Sequence, residues 1–149
     1  AEVISQVGIM VNSNLILVKP SFEYRSSSLR PEEIICFVDV LLKQGDKSKI
    51  LPQVQSNLAY RRTTQPLQSP SLGSVFKNPP NESAAKLLEL AGLKGFSHGN
   101  AQFSDKHANW IINPEKKASS EEVNFLIQLA QDKVKKLFSA NLELEWFVI

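Results

Sequence analysis

Ser119-Ser120-Glu121-Glu122-Val123-Asn124-Phe125-Leu126-Ile127-Gln128-Leu129-Ala130-Gln131-Asp132-Lys133-Val134-Lys135-Lys136-Leu137-Phe138 is the stretch on which the fold class turns. Ser119 with Glu122 three residues on is a capping box, which opens a helix by satisfying its first free N–H groups. Val123, Leu126, Ile127, Ala130, Val134, Leu137 and Phe138 then recur at helical spacing and predict one apolar face. Lys133, Lys135 and Lys136 fall in the last turns, where positive charge complements the helix dipole. Just before this helix, Trp110-Ile111-Ile112 reads as a short buried strand. Just after it, residues 142–149 read as a final strand with Glu143 and Glu145 on one face. A long helix set between strands, without regular β-α alternation elsewhere, argues for an α+β fold.

The rest of the chain supports that class. Residues 3–18 are rich in Val, Ile and Leu and broken by Asn12-Ser13-Asn14, so they read as two strands and a tight turn. Residues 34–42 read as a further strand, in which Asp39 implies an edge position or a polar partner. Asp46 is a candidate N-cap for a helix reaching about Arg62, with Ile50, Leu51, Val54 and Leu58 on one face. Pro52 is tolerated there if the helix starts late. Residues 66–80 are proline-rich and form a structured loop or a boundary. Residues 84–91 form a short helix that Gly92 stops, and residues 94–105 read as loop.

Composition bounds the function. The 149 residues can bury one hydrophobic core, and 42% hydrophobic with 21% charged residues is the balance of a globular domain. The net charge of +2 is too slight to imply nucleic acid. No apolar run approaches the ~18 residues that span a bilayer. Cys36 is the single cysteine, so no internal disulfide forms, and its apolar surroundings predict a buried small hydrophobe. His98 and His107 lack a surrounding Cys/His/Asp cluster, so no metal site is expected. The chain opens on Ala1-Glu2-Val3, without an initiator methionine or a signal-peptide pattern, and reads as a processed or excised piece of something longer.

Between the proline-rich approach and the short helix lies Gly73-Ser74-Val75-Phe76-Lys77-Asn78-Pro79, which sets a hydroxyl, an ammonium and an amide in one loop. On spacing alone it reads as a strand-entry turn with solvated polar residues. Ser74 has no nucleophile-elbow pattern and no evident His–Asp pair, so a serine nucleophile is not indicated. Alone, Arg25 is a surface arginine and Glu145 a strand glutamate facing solvent. Lys77 and Lys106 read equally as solvated charges, and His107 as a half-buried structural residue. Arg61 and Arg62 complement the end of the preceding helix, and Tyr24 reads as core packing.

Six motifs in order change the weighing. They are Phe22-Glu23-Tyr24-Arg25-Ser26-Ser27; Arg61-Arg62-Thr63-Thr64-Gln65-Pro66; Gly73 to Pro79; Ala85-Lys86-Leu87-Leu88 with Ala91-Gly92-Leu93-Lys94-Gly95; Ala101-Gln102-Phe103-Ser104-Asp105-Lys106-His107-Ala108-Asn109; and the terminal Leu142 to Ile149. Over nearly the whole chain they resemble the C-terminal half of the UDP-N-acetylenolpyruvoylglucosamine reductase family, with the shorter of its two loop types. The resemblance implies a flavoenzyme of peptidoglycan precursor synthesis, in which NADPH reduces bound FAD and an enolpyruvyl ether on a UDP-sugar is then reduced.

By that resemblance Ser74 is the proton donor, Arg25 the active-site arginine and Glu145 the catalytic glutamate. Glu145 faces a substrate carboxylate, so it is expected to hold a proton in the complex and donate a hydrogen bond. Lys77, Asn78, Gln102, Lys106 and His107 are implied on the substrate side, and Tyr24 and Arg62 on the cofactor side. Residues 1–43 are expected to be the closing strands of an incomplete FAD-binding domain, and residues 44–149 an α/β-sandwich substrate domain. The family's glycine-rich flavin loops would lie in an N-terminal half, a missing partner without which FAD is not held tightly. Two departures stand out: Ser97-His98-Gly99-Asn100, where the family pairs glycines, and Trp146-Phe147, where it has an aliphatic residue and an arginine. The pathway implies a cytoplasmic protein, with the plastid stroma as the alternative. The competing function is a non-catalytic remnant that binds a nucleotide sugar or a protein partner.

Overall fold

The computed structural model describes residues 3–146. In chain order the elements are β1 (Ile4–Val11), β2 (Asn14–Val18), β3 (Phe22–Glu23), β4 (Ser26–Ser27), β5 (Ile34–Val40), α1 (Lys47–Thr64), α2 (Ala84–Leu90), β6 (Ser97–His98), β7 (Ala101–Phe103), β8 (Ile111–Ile112) and α3 (Ser120–Phe138). The chain divides into two compact units, Ala1–Ile50 and Leu51–Ile149. The sheets pair antiparallel throughout the described residues, so the architecture is mixed α and β without a parallel crossover.

In the first unit β1 is the middle strand, between β2 and β5. Asn12 and Ser13 take φ of 47° and 64°. That left-handed pair lets a two-residue turn follow the twist of the strands it joins. Asp39 has both features expected of it. It lies on the edge strand β5, and its Oδ2 accepts a 2.6 Å bond from Gln6 Nε2. Cys36 departs from expectation, because it is exposed. An apolar strand buries its side chains only where something covers them, and β5 is exposed along its length. A second, two-stranded hairpin pairs Phe22 with Ser27 and Glu23 with Ser26, leaving Tyr24-Arg25 as its loop.

Helix α1 begins directly after Asp46, whose Oδ1 accepts from the Ser48 N–H (2.8 Å) and Ser48 Oγ (2.7 Å). Those bonds hold the Asp46 carboxyl below its ordinary pKa. The early start places Pro52 inside the helix rather than ahead of it, so the Ser48 carbonyl loses its i+4 donor. The expected face of Ile50, Leu51, Val54 and Leu58 exists, but no residue of α1 is buried.

The second unit holds a continuous core of Val75, Phe76, Leu88, Leu93, Phe103, Leu126 and their neighbours. α3 packs on β6, β7 and α2 and buries Leu126, Ile127, Ala130 and Val134. Its last apolar positions, Leu137 and Phe138, stay exposed. Ser119 Oγ accepts from the Glu122 N–H and the Glu122 carboxylate accepts from the Ser119 N–H. Ser119→Ala is therefore expected to cost about 1 kcal/mol of stability, read as a lower urea midpoint at unchanged slope. α2 is capped by Ser83 and followed by Gly92 at φ 71°. Residues 94–105, expected as loop, contain β6 and β7, which are too short to show a period. No helix among the described residues is long and apolar enough to cross a membrane.

Candidate functional site

The site is built around residues 73–77, which act as a central strand. Gly73 turns the chain at φ 88°, and Ser71 Oγ braces the turn by donating to the Ile111 carbonyl at 2.7 Å. Ser74 bridges to Trp110, and the Val75 N–H donates to the Asn109 carbonyl at 2.9 Å. On the other edge Phe76 bridges to Leu144. There the Lys77 N–H donates to the Glu143 carbonyl (2.9 Å) and the Glu145 N–H to the Val75 carbonyl (2.8 Å). Val75 and Phe76 are both buried in the core of the unit. The main chain of Glu145 thus lies across from Val75, one residue along from Ser74.

The strand's exit is tied down as well. Asn78 Oδ1 accepts from the Ala84 N–H at 3.0 Å, which fixes the loop to the start of α2. Lys77 Nζ lies 3.6 Å from Glu143 Oε2, a partly exposed pair of the kind worth about 0–1 kcal/mol. Both side chains therefore have partners off the Ser74 segment, Asn78 at the start of α2 and Lys77 on the facing Glu143 segment.

Residues 104–109 form the flanking loop. The buried Ser104 accepts at Oγ from the N–H groups of Lys106 (3.1 Å) and His107 (3.4 Å). Lys106 Nζ donates to the Arg62 carbonyl at 3.2 Å. It also lines a cavity of about 260 Å³ together with Pro66, Gln68 and Ser69. His107 is half-buried, and its Nδ1 accepts from the Asn109 N–H at 3.3 Å. A ring nitrogen that accepts carries no proton, so the neutral ring holds its proton on Nε2. Burial, and then the Lys94 charge, push the His107 pKa below its ordinary value.

His107 has a consequence for stability. The unfolded chain takes up the imidazole proton at a higher pH than the folded chain, so stability is fully present above about 6.5 and is lost as pH falls through the folded value. Denaturant unfolding between pH 5 and 7.5 should show the parent losing stability relative to His107→Gln on acidification. Parallel curves would refute this.

Gln102 sits elsewhere on the sheet. Its Nε2 donates to the Gly95 carbonyl at 3.0 Å, and it lines a cavity of about 280 Å³ with Ser97, Gly99 and Asn100. Of the unusual Ser97-His98-Gly99-Asn100 run, Gly99 takes the left-handed φ of 57°, and Asn100 is not among the residues at positive φ. Asn100 therefore adds no backbone strain. Trp146 is half-buried against the core, with its Nε1 enclosed and without a hydrogen-bond partner among the described residues. Phe147, and with it residues 147–149 of the expected terminal strand, lie outside the described residues.

Arg25 and Tyr24 belong to the first unit, in the β3–β4 loop. Arg25 stands at φ 53° with its guanidinium carbon 5.2 Å from the centre of the Tyr24 ring. Tyr24 is 59% exposed, so the core-packing expectation for it fails: a two-residue hairpin loop projects its side chains outward. Arg62 lies in the last turn of α1, exposed, beside Arg61, which bonds Gln65. Among the described residues no cluster of three or more His, Cys, Asp or Glu could hold a metal.

One residue escaped the sequence reading. Asn109 is 4% exposed. Its Oδ1 accepts from the Phe76 N–H (3.0 Å) and its Nδ2 donates to the Phe76 carbonyl (2.8 Å). A signal was present: an amide inside the apolar run Ala108-Asn109-Trp110-Ile111-Ile112 can be buried only if it is hydrogen-bonded.

Comparison with known proteins adds the family context. Residues 65–149 match the family model described as UDP-N-acetylenolpyruvoylglucosamine reductase, C-terminal domain. A protein of that name from Halalkalibacterium halodurans is 43% identical over 126 residues, covering 84% of this chain and 42% of the relative. One from Chlamydia abortus is 42% identical over 150 residues, covering 99% of this chain and 48% of the relative. A crystal structure of UDP-N-acetylenolpyruvylglucosamine reductase from Thermus caldophilus superposes with a TM-score of 0.82 at 32% identity, covering 97% of this chain and 52% of that one. The chain thus spans about half the length, or less, of the relatives it matches.

Proposed function

This chain belongs to the UDP-N-acetylenolpyruvoylglucosamine reductase family, and from that premise we propose that it supplies the substrate domain and proton donor of that reductase. The reaction adds a hydride and a proton across the enolpyruvyl double bond of UDP-N-acetylglucosamine enolpyruvate, giving UDP-N-acetylmuramate for peptidoglycan precursors. The observation that carries the proposal is the register at the central strand. Glu145 donates its N–H to Val75, so the two groups expected to act on one small substrate stand on adjacent, hydrogen-bonded segments, although they are far apart in sequence.

Ser74 Oγ–H gives its proton to the carbon beside the one that receives hydride, and the C–H bond forms as the O–H bond breaks. A serine hydroxyl is a weak acid, so it serves only against a strongly basic enolate-like carbon whose charge is stabilised. Arg25 supplies a permanent positive fork to the substrate carboxylate. Glu145 holds a proton there and donates a hydrogen bond rather than opposing one charge with another. Lys77, Asn78, Lys106 and His107 orient the sugar diphosphate, with the neutral His107 offering its Nε2–H as a donor; Gln102, held on Gly95 beside a different cavity, is left out of that set.

FAD, when bound, supplies the hydride that NADPH delivers. The donor chemistry in this chain fits its side of the group: Tyr24 and Arg62 are exposed, an aromatic ring and a guanidinium of the kinds that stack on a flavin and pair with a phosphate. Residues 1–43 are the end of the FAD-binding domain on this reading, and the glycine-rich diphosphate loops belong to the half of the relatives outside this chain. A UDP-sugar substrate and an NADPH supply place the reaction in the cytoplasm.

The test is the intact protein containing this chain, loaded with FAD. NADPH consumption that depends on the enolpyruvyl substrate is expected. A yellow, folded protein that binds the substrate yet consumes no NADPH would overturn the proposal.

A further inference from the structure

We infer that Asn109 is the positioning residue of this site, a clasp that sets the register of the Ser74 strand and links it to the His107 loop. The inference rests on the function proposed above for Ser74 and Glu145. Every polar group of Asn109 is engaged. Its N–H donates to His107 Nδ1, its carbonyl accepts from the Val75 N–H, and its side chain bonds both the N–H and the carbonyl of Phe76.

The side-chain pair is what a neighbouring strand residue would offer: one acceptor and one donor, presented together to one peptide unit. β8 begins at Ile111, so beside Phe76 the Asn109 side chain does the work of a ladder. The clasp closes on the residue between Val75, whose carbonyl receives the Glu145 N–H, and Lys77, whose N–H donates to the Glu143 carbonyl. A slip at Phe76 therefore moves Ser74 against the loop that carries His107 and Lys106, and it loads the Val75–Glu145 and Lys77–Glu143 bonds on the opposite edge, through which the displacement reaches Glu145. Burial makes the clasp stiff, since an unpaired amide in a dry environment costs more than an exposed one.

Asn109→Asp gives a test that simple destabilisation does not mimic. An ionised carboxylate keeps the acceptor for the Phe76 N–H but turns an oxygen against the Phe76 carbonyl. The protonated acid offers one acceptor and one donor, as the amide does. Amide hydrogen exchange in the FAD-loaded protein should show the Phe76 and Glu145 N–H groups losing protection about tenfold to a hundredfold at neutral pH, with α3 unchanged. Protection should return as the acid protonates. Reoxidation of the reduced flavin by the enolpyruvyl substrate should fall by about a hundredfold and recover over the same pH range, while reduction by NADPH is unaffected.

Asn109→Leu, similar in size and without polar atoms, should lose the same protection at every pH. Loss confined to Phe76, with Glu145 still protected in both variants, overturns the inference. So does loss at both amides with reoxidation at the parental rate. A parent protein that fails to turn over the substrate counts against the proposed function instead, and the exchange at Glu145 still decides whether the clasp positions it.

Discussion

Ser74→Ala is expected to slow reoxidation of the reduced flavin by the enolpyruvyl substrate by about 10²–10⁴-fold, the usual contribution of a positioned general acid. Reduction of the flavin by NADPH should proceed at the parental rate, because no proton to carbon is involved in it. The half-reactions are separable by stopped-flow absorbance in a single turnover, so a general loss of folding would show in both. Ser74 lies at a main-chain bridge to Trp110, and alanine keeps that backbone geometry, so the melting temperature should hardly move. Reoxidation at the parental rate in the alanine variant would remove Ser74 as the donor.

Glu145→Ala is expected to cost about 10²–10³-fold in the same step, the magnitude seen when one donor to a developing charge is deleted. Glu145→Gln should be milder. A neutral amide keeps a donor where the protonated acid has one and adds no negative charge. The peptide N–H of Glu145 that bonds Val75 is present in all three proteins, so strand register is constant and the comparison isolates the side chain. Equal losses in the two variants would mean that the carboxylate acts in its charged form, against the hydrogen-bond role assigned to it.

The family motifs around Ser74 and Glu145 were legible in order, but their juxtaposition was not. The Val75–Glu145 bond joins segments on opposite sides of α2 and α3 in the chain. α3 itself was legible almost to the residue, because its capping box and apolar period act within a turn or two. The Asn12-Ser13 hairpin was legible for the same reason. β6 and β7 were not, since strands of two and three residues exist through their partners and not through a pattern. Cys36 and Tyr24 were misjudged on one ground: an apolar or aromatic residue is buried only if another element reaches it, and composition cannot supply that element.

The sequence by itself determined the class of fold, the helices and tight turns, the family and the short roll of polar residues worth testing. These depend on caps, turn dihedrals and periodicities set by neighbours in the chain. Only the tertiary structure decided that residues 73–77 run between two segments, bonded by Asn109 on one edge and by Glu143 and Glu145 on the other. Hydrogen bonds between distant segments carry no local signature. A buried peptide group must find a partner, but which partner it finds is settled when the core of Val75, Phe76, Phe103 and Leu126 closes.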